Sequence, residues 1–159
     1  MEIYLLRHGI AEDTAPSGRD ADRRLTDKGR EKLRKVLKVA ADAEIVPSLI
    51  LTSPLVRAVQ TAEIAAEVLK YKGKLVKTDA LLPDAAPRDV WNDVRVRKDH
   101  ASILVAGHEP LFSMTTGYLL GCSREMVDFK KGALIRVDVE SLGATPLGVL
   151  KWMIAPSIA

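Results

Sequence analysis

Two runs constrain the fold most: Ile3-Tyr4-Leu5-Leu6 near the start and Ile103-Leu104-Val105 later in the chain. Both are short, β-prone and apolar without alternation. A strand with one face in water alternates polar and apolar residues. One buried on both faces does not, and such strands sit inside parallel sheets covered by helices. Leu49-Ile50-Leu51 is a third such run, and Lys74 to Thr78 is a weaker one with Leu75 and Val76 as its apolar pair. After a polar stretch from Ala11 to Arg24 that reads as a surface loop, the segments between them are helical in pattern. Thr26 is placed to cap a helix with Asp27 in its first turn, and Leu33, Val36, Leu37, Ala40 and Ala41 then recur at helical spacing. Ser53-Pro54 reads as an N-cap followed by a proline at the first helical position, opening a stripe of Leu55, Ala58, Val59, Ala62, Ala65, Ala66 and Leu69. Two more helices are expected, from about Pro87 to Lys98 with Val90, Trp91, Val94 and Val96 on its buried side, and from Pro110 through Leu120. This alternation predicts a mainly parallel sheet covered on both faces. From Ala133 the pattern changes, and Leu134 to Val139 and Gly148 to Ile154 suggest a hairpin or meander at one end of the sheet. A chain of 159 residues is expected to form one domain.

The ends of these runs carry the polar chemistry. The first stops on Arg7-His8-Gly9 and the later one on Gly107-His108, while Arg57 lies on the second turn of the helix that follows Leu51. Parallel strands bring their C-terminal ends to one edge of a sheet, where ligands of open α/β folds bind. A lone histidine is more often structural or merely exposed. Two histidines and two arginines at corresponding element ends are harder to dismiss.

These residues resemble the histidine phosphatase superfamily, also called phosphoglycerate mutase-like. The resemblance is carried by Arg7-His8-Gly9, Thr52-Ser53-Pro54 with Arg57 and Thr61-Ala62, Gly107-His108, and Leu82-Pro83. Asp20, Arg23, Leu25-Thr26 and Gly29 add a loop pattern, with Arg24 where the family pattern has proline. Among its branches, the short chain is most similar to the SixA-type phosphohistidine phosphatases. The resemblance implies a three-layer α/β/α sandwich with a mixed, mainly parallel sheet of about six strands. One late strand would run antiparallel, and the first and fourth strands would be neighbours.

It also implies roles. His8 would be the nucleophile that forms a phosphohistidine intermediate, Arg7 and Arg57 would bind the phosphoryl oxygens, and His108 would complete the pocket, with no metal or other cofactor. These roles make physical sense. An attacking imidazole must be neutral, which nearby guanidinium groups favour, and planar guanidinium forks match phosphate geometry. A shared pocket also requires the first strand to end at Arg7, because neighbours in a strand point to opposite faces. Many members protonate the leaving oxygen with an acid from the loop after the third strand. Asp84 is the nearest candidate here, and a loop carboxylate after Pro83 is its plainer reading. A phosphoramidate can be protonated on its own imidazole, so a weak acid suits a P–N substrate.

Other residues have structural explanations. Asp20 and Arg23 could flank the pocket or form a solvated pair. Ser53 is explained by capping, His100 by the surface, and Trp91 and Trp152 by packing. Glu109, beside His108, has no role that the sequence explains. Cys122 follows Leu119-Leu120-Gly121 and reads as a packed thiol; a single cysteine excludes a disulfide framework. A net charge of +3 with 4% aromatic residues argues against nucleic-acid binding. No run nears the length of a membrane span, and no signal peptide opens the chain. The expectation is a cytoplasmic, monomeric phosphatase acting on a phosphorylated histidine-containing protein, such as a phosphotransfer protein. A small-ester phosphatase and a non-catalytic phosphohistidine-recognition module are the alternatives.

Overall fold

The computed structural model describes residues 1–159, apart from the side chain of Glu125. In chain order the elements are β1 (Glu2–Arg7), α1 (Asp27–Asp42), β2 (Leu49–Thr52), α2 (Val56–Val68), β3 (Val76–Lys77), α3 (Pro87–Arg95), β4 (Ser102–Gly107), α4 (Leu111–Leu120), β5 (Leu134–Val139) and β6 (Gly148–Ile154). They form a three-layer sandwich around a six-stranded sheet of order β3-β2-β4-β1-β5-β6. β1, β2, β3 and β4 are parallel, and β5 pairs antiparallel with both β1 and β6. β5 is therefore the strand that opposes the rest. β1 and β4 are neighbours, in a register that sets Leu5 against Val105 and Arg7 against Gly107.

The unbroken apolar runs are explained by what each face covers. Ile3, Leu5, Ile103 and Val105 pack with Val90, Trp91 and Val94 of α3 and Leu111, Phe112 and Leu119 of α4. The alternate residues Tyr4, Leu6, Leu104 and Ala106 pack with Leu33, Val36 and Leu37 of α1 and Ala62 and Ala65 of α2. Every second residue of β1 and β4 thus enters a different core, and a polar side chain on either face would lose its water.

Several local expectations need correction. α2 begins at Val56 after an N-cap at Leu55, later than Ser53-Pro54 implied. Ser53 is fully buried, and its hydroxyl faces His108 instead of capping a helix. β3 is only two residues long, and α3 stops at Arg95 short of Lys98, which leaves Val96 past the helix end and exposed rather than buried. Residues 11–24 are more anchored than an ordinary surface loop. Ala11 bridges to Leu25, Ala11 and Ala15 are buried, and Asp20–Asp22 form a 3-10 turn. Cys122 is exposed. α4 ends on Gly121 in the left-handed conformation (φ 67°), which turns the chain away from the core just before the thiol.

Other expectations hold. The Thr26 hydroxyl accepts from the Gly29 N–H at 3.0 Å, as a cap should. Trp91 is buried, its indole donating to the Gly143 carbonyl at 3.0 Å, and Trp152 packs against the Tyr4 ring. Gly29 is required by close approach: a Cβ there would lie 2.1 Å from the Ile10 carbonyl oxygen. The N-terminus of α1 is thereby pressed against the backbone that follows His8.

Candidate active site

The site begins where β1 stops. Arg7 is its last residue, and the His8 N–H still donates to the Gly107 carbonyl at 2.9 Å. The Gly132 N–H reaches both the Arg7 and His8 carbonyls, at 3.2 and 3.0 Å. Two segments, the end of β4 and the approach to β5, therefore fix the backbone of the Arg-His-Gly triplet. β4 delivers His108 one residue beyond its own end, so neighbouring parallel strands place the two imidazoles next to each other in a tilted arrangement. Their ring centroids are 5.1 Å apart with planes inclined at 56°. His8 and His108 are only 7% and 1% exposed.

The tautomer of His8 follows from its partner. His8 Nδ1 lies 2.7 Å from the Gly9 carbonyl oxygen. A carbonyl can only accept, so Nδ1 carries the proton and Nε2 keeps its lone pair. Burial is the main cause that lowers the His8 pKa to about 4; the Gly9 hydrogen bond opposes it, and the Arg57 and Arg7 charges add to it. His108 is pushed lower still, to about 3, mainly by burial and then by His8 and Arg57. Both rings are neutral at pH 7. His108 Nε2 is 2.8 Å from the Ser53 hydroxyl, which can serve either tautomer, while its Nδ1 is buried without a partner.

The two arginines are held from opposite sides. Arg7 Nη1 donates to the Phe129 carbonyl at 2.5 Å. Arg57, 5% exposed, donates from Nη1 to the Asp20 carbonyl at 2.9 Å and from Nη2 to the Asp20 carboxylate at 3.0 Å. Arg23 Nη1 binds the other carboxylate oxygen of Asp20 at 2.8 Å, and its Nε anchors on the Glu12 carbonyl. The Arg23 hydrogen bond first, and Arg57 against the opposing effect of burial, hold Asp20 below the usual carboxylate range. Both Arg7 Nε and Arg57 Nε are buried donors without partners. An oxyanion is the kind of ligand that would satisfy such donors at a cationic centre.

The structure thus brings together His8, His108, Arg7 and Arg57, and it ties Asp20 and Arg23 to Arg57. Asp84 is exposed, and no hydrogen bond or ion pair joins it to these residues among those described. Glu109 serves the local fold, because its carboxylate accepts from the Ser113 N–H at 2.7 Å at the start of α4. Sequence reasoning used Thr61 only as part of the family motif, without a role, and did not single out Phe129. The Thr61 hydroxyl accepts from the Gly9 N–H at 3.3 Å and donates to the Arg57 carbonyl at 2.8 Å, joining the triplet to α2. Its place four residues after Arg57 was the signal available. Nothing in the sequence marks the Phe129 carbonyl. Among the described residues no group of three or more His, Cys, Asp or Glu side chains is arranged to hold a metal. No helix among them is long and apolar enough to cross a membrane.

Comparison with known proteins agrees with this geometry. The profile of the histidine phosphatase superfamily (branch 1) matches residues 3–82. An uncharacterized protein of Picosynechococcus is 32% identical over 142 residues, covering 85% of this chain and 83% of that protein. Phosphohistidine phosphatase SixA of Escherichia coli is 27% identical over 161 residues, covering 98% of this chain and 94% of that one. The structure of the protein histidine phosphatase SixA complexed with tungstate superposes with a TM-score of 0.89 at 24% identity, over 99% of this chain and 98% of that one. The alpha-ribazole phosphatase of Shigella flexneri shares the fold with a TM-score of 0.76 at 18% identity, over 100% of this chain and 98% of that one. The chain belongs to the histidine phosphatase superfamily, with SixA-type structures among its strong neighbours, and this membership supports phosphatase activity.

Proposed function

We propose that the protein is a phosphohistidine phosphatase that hydrolyses P–N bonds on a histidine-containing phosphoprotein through a phosphoryl intermediate on His8. The observation that carries this reading is the His8 tautomer, with Nδ1–H fixed on the Gly9 carbonyl and a free Nε2 beside two arginines. Nε2 attacks phosphorus while the bond from phosphorus to the substrate imidazole breaks. If the substrate ring is protonated on its other nitrogen, it departs as neutral imidazole. His8 then carries phosphorus on Nε2 and retains Nδ1–H, and the Gly9 carbonyl stabilises the positive charge gained by the ring. Water attacks the phosphoryl group in the second step, its proton passes to the phosphate and solvent, and neutral His8 returns. Arg7 and Arg57 bind the phosphoryl oxygens, and His108 supplies a further contact as charge is redistributed.

The preference for P–N over P–O bonds rests on the available acids. Asp20 is held as a carboxylate between Arg57 and Arg23, Glu109 is engaged as an acceptor, and Asp84 is exposed. An alkoxide leaving group needs a proton donor, whereas an imidazole already protonated on its distal nitrogen does not. The similarity to the phosphohistidine phosphatase of Escherichia coli supports the same substrate class. The fold shared with an alpha-ribazole phosphatase keeps small esters as the competing substrates. Measuring kcat/KM on phosphohistidine peptides and on a panel of small phosphate esters tests the proposal. Preference for the peptides is expected, and preference for an ester would refute it.

A further inference from the structure

A groove of about 600 Å³ opens beside Arg7, lined by Ile10, Lys32, Lys130, Lys131, Pro156 and Ser157. It lies at the catalytic edge of the sheet, because it is built where β1 and β6 end and where β5 begins. Its cations come from two separate segments, α1 and the approach to β5. All three lysines are exposed. Lys130 has an ion pair with Asp128 at 2.9 Å, while Lys32 and Lys131 have no acidic partner among the described residues. In the 11–24 segment beside Arg57 most of the arginines are paired instead. There Arg19 pairs with Asp22, and Arg23 and Arg57 both pair with Asp20. Two exposed lysines without an acidic partner among the described residues, Lys32 and Lys131, thus stand together beside Arg7.

We propose that this groove docks an acidic stretch of polypeptide flanking the phosphorylated histidine of the partner protein. The inference rests on the phosphoprotein reading above and names the chemistry of its partner. Phosphoryl recognition is assigned to half-buried Arg7 and buried Arg57, so the exposed lysines are left to act on what surrounds the phosphoryl group. Lysines on flexible stems suit an acidic protein surface, where complementary charge raises the encounter rate and orients the complex. Such attraction acts across solvent and weakens with salt.

The test uses two phosphohistidine peptides that differ only in flanking residues, glutamates in one and glutamines in the other. Wild type should show about a tenfold higher kcat/KM for the glutamate peptide at low salt, chiefly through KM. The preference should shrink at about 0.5 M salt. The variant Lys32→Glu/Lys130→Glu should abolish or reverse it while hydrolysing inorganic phosphoramidate like wild type, which also shows that it is folded. Equal turnover of both peptides by wild type, or a preference unchanged in the variant, would overturn the docking proposal alone. Turnover of neither peptide, with small esters still hydrolysed, would overturn both the docking and the phosphoprotein reading.

Discussion

Following the two buried imidazoles by nitrogen NMR during an acid titration would read the chemistry assigned to His8 directly. The structure places its pKa at about 4 against 6.5 for an ordinary imidazole. That difference corresponds to about 3 kcal/mol favouring the neutral over the charged ring. Desolvation supplies the largest share, because His8 is 7% exposed, and the arginine charges act in the same direction. The Gly9 hydrogen bond opposes them and fixes the proton on Nδ1. The spectra should therefore show Nδ1–H and a bare Nε2 at pH 7, with protonation only near pH 4. With the rings 5.1 Å apart, the pair should titrate as a coupled unit, and replacing His108 with Asn would isolate the His8 midpoint. Adding tungstate, a tetrahedral oxyanion, should raise that midpoint by favouring the cation. A midpoint near 6.5, or a proton on Nε2 at pH 7, would refute both the electrostatic account and the direction of attack.

The same shifts make stability depend on pH. The unfolded chain protonates these histidines below about pH 6.5, while the folded chain resists down to about pH 4 and 3. Their contribution to stability should therefore fall as pH drops from about 6.5 to about 3, seen in urea midpoints, and the His8→Asn/His108→Asn double variant should lose that component. Gly29→Ala forces a Cβ to 2.1 Å from the Ile10 carbonyl oxygen, so it should cost about 2 kcal/mol in denaturant unfolding. Ser53→Ala removes the hydroxyl partner of His108 and should cost about 1–2 kcal/mol while lowering turnover. Asp20→Asn weakens the hold on Arg57; it should lower kcat/KM by about tenfold with little change in stability, because the carboxylate is 62% exposed. Cys122 should react readily with thiol reagents in the folded protein, with activity retained; a protected thiol would contradict its exposure.

The strands and the edge of the sheet that holds the candidate site were legible because periodicity and chain order report them. Unbroken apolar runs require two covered faces, and His8, Arg57 and His108 follow three such runs at corresponding places. What stayed hidden depended on side-chain direction and long-range contact. Ser53 before Pro54 has the local pattern of a cap, but burial and the 2.8 Å contact with His108 decide its use. Asp20 and Arg23 fit a loop pattern, yet only the folded chain reveals that Asp20 holds Arg57 through both its carbonyl and its carboxylate. Cys122 follows apolar residues, and its exposure depends on the left-handed turn at Gly121. The Phe129 carbonyl carries no sequence signal, since any residue can present one. The lysine groove was equally invisible, because Lys32 and Lys130 are far apart in sequence and meet only across the sheet edge.

The most direct test of the central proposal is to trap the phosphoryl group on the enzyme. Wild type would be mixed rapidly with a radiolabelled phosphohistidine peptide and quenched in alkali, where phosphohistidine survives, before proteolysis and mass spectrometry. Label on the peptide that contains His8, attached through Nε2 and absent from His8→Ala along with turnover, is the predicted result. Label on His108, or undiminished hydrolysis by His8→Ala, would contradict it.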